Sequence, residues 1–251
     1  MKARLWQNLF LLNALILSPY VDANAPSKDI RALQEQGILA VIYQQTSSER
    51  LAASIQTFKA ARQALDKALA DPSWNALPGA QDYQKKKPAI ILDVDETVLD
   101  NTAYQARMIL DRTRYPTGWI DWGNEVKAIG VPGAREFLEY ADLKGVTIFY
   151  VTNRVVELKE ATKKNLTKLD IPWDKTKETI LMRGENGWNS DKGPRRKLIS
   201  KEYRVLLMAG DNLGDFVDAK DNNLSPKKRK LIVEDYSDYW GTKWFMLQNI
   251  A

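Results

Sequence analysis

From residue 47 onward, apolar positions fall into two rhythms. Leu51, Ile55, Phe58, Ala61, Leu65 and Leu69 recur three or four apart, the stripe of a helix with one buried face. Just before them, Thr46-Ser47-Ser48-Glu49 has the form of a capping box. A helix is therefore expected over 47–70, after a first one over 29–45. Trp74 to Gln84 carries Pro78-Gly79 and reads as a loop. The rhythm then changes to short, apolar-rich runs bounded by polar residues. These predict core strands at 89–94, 146–151, 179–182 and 205–209, and an edge strand at 243–247. Helices are expected at 132–140, 155–169, 197–202 and 228–239. The stretch 97–127 reads as helical or irregular, broken at Pro116-Thr117-Gly118.

Strands alternating with helices predict an α/β fold: a Rossmann-like, mostly parallel sheet flanked by helices. Two stretches fall outside the alternation and are expected to form a smaller helical cap. The expected division is a single domain over 26–251, with the cap at about 26–86 and 100–130 and the core at about 87–99 and 131–251. A chain of 251 residues suits one core with a cap better than two full domains.

The first 25 residues have a different character. Lys2 and Arg4 precede an apolar stretch, Leu9 to Ser18, broken only by Asn13, and Ala23-Asn24-Ala25 follows. This is the pattern of a secretory signal peptide, cleaved near Ala23 or Ala25, and the apolar stretch is too short for a membrane span. A periplasmic or secreted protein is expected.

Composition removes whole classes of chemistry. There is no cysteine, so disulfides, thiolate nucleophiles, Cys-ligated zinc and a lipid on an amino-terminal Cys are all excluded, and no stable membrane anchor is expected. There is no histidine, which excludes phosphohistidine intermediates, Ser-His-Asp triads and His-ligated metals. Catalysis must then run on carboxylates, Lys, Arg, hydroxyls and a hard, oxygen-seeking cation. The net charge of +5 is spread along the chain; the runs Lys85–Lys87 and Lys227–Lys230 read as solvated faces, not as a nucleic-acid surface.

Four predicted strands end in polar residues, and parallel strands bring their carboxyl ends to one edge. Asp93 and Asp95 follow the first, Thr152-Asn153-Arg154 the second, and Asp211 and Asp215 the fourth; the loop after the third leads to Asp191-Lys192. Clustered carboxylates repel unless a cation or a proton separates them. A carboxylate nucleophile, a neighbouring acid, a hydroxyl and a lysine for phosphate oxygens, and distal carboxylates for Mg²⁺ together suit phosphoryl transfer.

These segments are Asp-Val-Asp-Glu-Thr-Val-Leu-Asp-Asn (93–101), Val-Thr-Asn-Arg (151–154), Asp-Lys (191–192) and Gly-Asp-Asn-Leu-Gly-Asp-Phe (210–216). With them the chain resembles the haloacid dehalogenase (HAD) superfamily, and within it the secreted bacterial acid phosphatases of class B/C type, including an outer-membrane lipoprotein phosphatase. Tyr43 to Glu49 and Ile129 to Phe137 share the likeness, which runs from about residue 30 onward. The resemblance implies Asp93 as nucleophile and Asp95 as general acid and base. It implies Mg²⁺ on Asp93, the Asp95 backbone carbonyl, Asp211 and Asp215, and phosphate contacts from Thr152, Asn153 and Lys192. Arg183, Arg195, Arg196 and Lys197 are rivals for the role of Lys192. Glu96 and Asp100 read as local caps and solvated charge. The expected partner is a small phosphate monoester, nucleoside monophosphates among them. The alternative is a catalytically weak storage or binding protein on the same fold.

Overall fold

The structure is a computed structural model that describes residues 36–249. The expected signal peptide and the start of the first expected helix lie outside them. In chain order the elements begin α1 (Ile38–Thr46), α2 (Ser48–Ala70), β1 (Lys87–Leu92), β2 (Leu99–Asp100), α3 (Thr102–Leu110), α4 (Trp119–Glu125) and β3 (Ile129–Gly130). They continue with α5 (Ala134–Leu143), β4 (Thr147–Val155), α6 (Lys159–Lys168), β5 (Ile180–Arg183) and α7 (Gly193–Glu202). The last are β6 (Tyr203–Gly210), α8 (Ala219–Asn222), α9 (Pro226–Asp235) and β7 (Trp244–Met246).

Five strands form one parallel sheet in the order β5-β4-β1-β6-β7. The chain builds outward from β1 through β4 to β5, then crosses back to place β6 on the other side of β1. The carboxyl end of β1 is thus a topological switch point, where open α/β sheets leave a crevice. Both faces of the sheet are covered, which is why its strands read as continuous apolar runs. Ile90, Leu92, Ile148 and Tyr150 face one core with Phe58, Leu65, Phe137 and Leu138 of α2 and α5. Ala89, Ile91, Phe149 and Val151 face the other. That second core ends in an aromatic cluster around Trp244, fully buried, whose indole N–H donates to the Ala76 carbonyl at 2.8 Å. Phe216, Tyr236, Tyr239 and Trp240 surround its ring.

Of the stretches assigned to the cap, α2 lies against the sheet, because its apolar stripe continues the core beside β1 and β6. Four local readings need correction. The expected capping box does not form: Ser47, not Thr46, is the N-cap of α2, accepting from Arg50 N at 3.0 Å, while Thr46 bonds back to the Ile42 carbonyl. β4 runs on to Val155, paired with Arg183 of β5, so α6 begins later than 155, after one 3₁₀ turn. Pro194 and Pro226 stand in the first turns of α7 and α9, where proline costs a helix no hydrogen bond, so both helices start before the expected 197 and 228. The carboxyl ends of β1, β4 and β6, with the start of α7, meet at one edge.

Candidate active site

The peptide after β1 does not continue as a strand. The Val94 carbonyl accepts from both Val98 N and Leu99 N, which folds 94–99 into a tight loop with Glu96 in the left-handed region at φ 55°. This loop presents Asp93 and Asp95 to different partners. Asp93 is buried, and its Oδ1 accepts from Lys192 Nζ. Asp95 turns toward Asn101 and Arg154: its Oδ1 accepts from Asn101 Nδ2 at 2.8 Å and from Arg154 Nε at 2.9 Å, and Arg154 Nη2 makes an ion-pair contact with it at 2.8 Å.

Lys192 stands at the start of α7 and is itself buried. Its ammonium bridges Asp93 and Asp215 Oδ1, the latter at 2.6 Å. Three of its four rivals are engaged elsewhere: Arg195 donates to the carbonyls of Thr152, Asn189 and Asp191, Arg196 to those of Gly214 and Asp215, and Lys197 lies near Asp218. Sequence reading cast Arg195 and Arg196 as competitors; the structure makes them braces that hold three site loops by their main chains. Their signal, two adjacent arginines in an α7 packed on the sheet, was visible but pointed to no partner.

After β6 the chain makes a close turn. Asp215 folds back so that its Oδ2 accepts from Asn212 N at 2.9 Å. A Cβ on Gly210 would sit 2.3 Å from that oxygen, so the residue before Asp211 has to be glycine for Asp215 to lie where it does. Asp211 is held from both sides, Oδ1 by the Thr97 hydroxyl at 3.3 Å and Oδ2 by Asn249 Nδ2 at 2.8 Å. Asn249 in turn lies within 3.5 Å of Gln44 on α1, and Gln248 accepts from Tyr43 OH. Thr152, fully buried at the end of β4, accepts from Arg154 N at 3.0 Å, which leaves its O–H available as a donor. Asn153 ties β4 to the loop before Lys192, donating to the Ser190 carbonyl at 3.1 Å and accepting from Arg195 at 2.8 Å.

Charge in this pocket is crowded. Carboxylate oxygens of Asp93, Asp211 and Asp215 all lie within 4.8 Å of one another. Burial pushes the Asp93 carboxyl well above its ordinary range; Lys192 opposes that, and the charges of Asp215, Asp211 and Asp95 add to it. Burial and then Asp215 raise Asp211 to about 6. Burial works against the Lys192 ammonium, but Asp215 and Asp93 outweigh it and hold its pKa above the usual lysine value. One ammonium facing three carboxylates leaves negative charge for a divalent cation to balance, and a donor set of oxygens alone suits a hard one.

A family model described as HAD superfamily, subfamily IIIB (Acid phosphatase), matches residues 23–250. The chain belongs to this acid phosphatase family. It is a phosphoric monoester hydrolase, and its substrates are small phosphate esters. Two solved structures agree with the phosphatase over most of both chains. The class C acid phosphatase from Bacillus anthracis is 37% identical, with a TM-score of 0.76, covering 87% of this chain and 85% of its own. The same protein with tungstate bound is 36% identical, again with a TM-score of 0.76 and the same coverage.

Several residues to which sequence reading gave no role stand beside Asp95. Asn101 and Arg154 lie inside the quoted motifs, yet their contact with Asp95 had no signal in spacing. Glu96 and Asp100, expected as local caps and solvated charge, both bond to nearby backbone N–H groups, but the N-cap of α3 is Asn101 and neither carboxylate is solvated. Glu96 accepts from Asn101 N at 2.9 Å, and Asp100 accepts from Thr102 N at 2.8 Å and pairs with the buried Arg50 at 2.9 Å. Trp122 is buried and donates to Asn101; Trp119 packs edge-on against Tyr104 and Tyr115. Among the described residues no helix is long and apolar enough to cross a membrane.

Proposed function

We propose that the phosphatase is an exported, Mg²⁺-dependent enzyme that cleaves monoesters through an aspartyl phosphate on Asp93, with nucleoside monophosphates among its substrates. The observation that carries this reading is the buried Asp93 carboxylate beside Lys192, Asp211 and Asp215. A nucleophile there must be ionised while burial favours the acid, and Lys192 supplies the nearest opposing charge. Asp93, Asp211 and Asp215, with the backbone carbonyl of Asp95, would hold the Mg²⁺, which when bound offsets charge building on the phosphoryl oxygens.

Asp93 attacks phosphorus, and the ester P–O bond breaks with its electron pair on the leaving oxygen. Asp95 gives that oxygen a proton. In the second half Asp95 takes a proton from the water that attacks the aspartyl phosphate; the Asp93–phosphorus bond breaks and phosphate leaves. Thr152 and Lys192 hold the phosphoryl oxygens, with Asn153 beside them. The ring of Trp119, near Arg154 and packed edge-on by Tyr104 and Tyr115, supports a flat leaving group such as a nucleoside. Export is supported by the pattern of residues 1–25.

The test is phosphate release from a panel of monoesters, with and without Mg²⁺. Asp93→Asn is expected to lower turnover at least roughly 10⁴-fold, as for loss of a nucleophile. Full activity in that variant, or full activity after exhaustive chelation, removes the corresponding part of the proposal.

A further inference from the structure

Among the described residues, the two hydrogen bonds and the ion-pair contact made to the Asp95 side chain converge on a single oxygen. Asn101 Nδ2, Arg154 Nε and Arg154 Nη2 lie 2.8, 2.9 and 2.8 Å from Oδ1. The clamp is built from buried groups: Asn101 is 1% exposed, Arg154 2% and Trp122 3%, while the Asp95 side chain keeps 21% of its surface. The orientation of the Asn101 amide is fixed by donors on its other end. Its Oδ1 accepts from the Trp122 indole N–H at 2.9 Å and from Arg154 Nη2 at 3.2 Å, so its NH₂ must face Asp95. Arg154 is anchored in turn by Thr162 Oγ1 at 3.1 Å, and its guanidinium carbon lies 5.5 Å from the centre of the Trp119 ring.

A carboxyl group that transfers a proton needs one oxygen held and the other presented. With Asn101 and the Arg154 guanidinium on Oδ1, a proton on Asp95 belongs on Oδ2, because Oδ1 already faces N–H groups. We infer that Asn101 and Arg154, with Trp122 behind them, are positioning residues that make Asp95 Oδ2 the single atom delivering the proton to the leaving oxygen. This rests on the reading of Asp95 as the general acid. As the ester bond breaks, the electron pair goes to the ester oxygen and the Oδ2 proton follows it. The carboxylate left behind already has its hydrogen-bond partners in place, so no rearrangement accompanies the transfer. The clamp joins the loop after β1, the end of β4 and α4, so the proton donor is aligned by the same elements that carry the ring of Trp119.

A misplaced acid has a signature that general damage lacks. Phenolates of acidic phenols depart without a proton, whereas poor leaving groups depend on one. The experiment measures kcat/KM, which reports the first half-reaction, for substituted phenyl phosphates of graded phenol acidity. It compares the wild-type enzyme with Asn101→Ala, Arg154→Met, Trp122→Phe and Asp95→Asn. The first two are expected to steepen the dependence, with phenyl phosphate losing at least roughly tenfold more than p-nitrophenyl phosphate, within the range that general acid catalysis supplies. Trp122→Phe keeps an aromatic ring at this buried position while removing the N–H together with the five-membered half of the indole; a smaller steepening is expected. If Asp95→Asn leaves the dependence as shallow as in the wild type, Asp95 is not the acid and the inference falls with that reading. If Asp95→Asn steepens it while Asn101→Ala, Arg154→Met and Trp122→Phe lower every substrate by one common factor, Asp95 stands as the acid and the positioning role is wrong.

Discussion

Glu96 shows what a single buried carboxyl does to a pocket of this kind. Burial, and then the charge of Asp95, lift it from 4.5 to about 8, although Asn101 N–H donates to it. The folded protein therefore holds a proton there that the unfolded chain releases near pH 4.5. The stability this contributes is complete below that pH and is lost as the pH rises toward 8. Glu96→Gln keeps the acceptor for Asn101 and removes the titration. Urea unfolding at several pH values is expected to show the variant gaining on the wild type between pH 5 and 8, by more than about 1.4 kcal/mol, the worth of one pH unit. A parallel pair of curves would show that Glu96 does not titrate on folding. At this scale the acidic residues at strand ends were readable, since Asp93, Asp95, Asp211 and Asp215 have no structural reason to cluster. Their partners were not. Asn101 is six residues from Asp95, but Trp122 meets Asn101 across 21 residues and Arg154 meets Asp95 across 59, which no local pattern encodes.

Among the elements, the turn leaving β6 is the most tightly constrained. Gly210 leaves room for Asp215 to fold back, and Asp215 then meets both Asn212 N and Lys192. Gly210→Ala is expected to push Asp215 aside while β6 stays in the sheet. Mg²⁺ affinity, measured by calorimetry, should then fall about 10- to 100-fold, the usual cost of disturbing the residues around a metal. Unchanged affinity would mean that Asp215 does not help to hold the ion. The existence and chain positions of the core strands were legible because both sheet faces are buried, whereas their order in the sheet was not. Element ends were less so. β4 outran its apolar run because pairing with β5 continues at Val155 and Arg183, a neighbour's influence absent from the sequence of β4 itself. At the start of α2, Thr46 and Ser47 both had the chemistry of a cap, and only the backbone turn at Ser47 chose between them.

For the molecule as a whole, the arrangement predicts that stability depends on the cation. Bound Mg²⁺ would relieve repulsion among Asp93, Asp211 and Asp215 that the folded state alone must tolerate. At free Mg²⁺ about 100-fold above its dissociation constant, the gain is about 2.7 kcal/mol. For a chain of this size that is a rise in Tm of roughly 5–10 °C, readable by differential scanning fluorimetry against a chelated sample; coincident melting curves would argue against a divalent ion at this site. The α/β class and the meeting of strand ends followed from the alternation of elements, but the packing of α2 on the sheet did not, because one apolar stripe fits a cap and a core equally well. The contact between Asn249 and Asp211 carries a further consequence. Asp93 is made well before the amide that steadies Asp211, which follows β7, the last of the five strands in chain order. A nascent chain that already carries Asp93 therefore lacks this contact until residue 249 has been made.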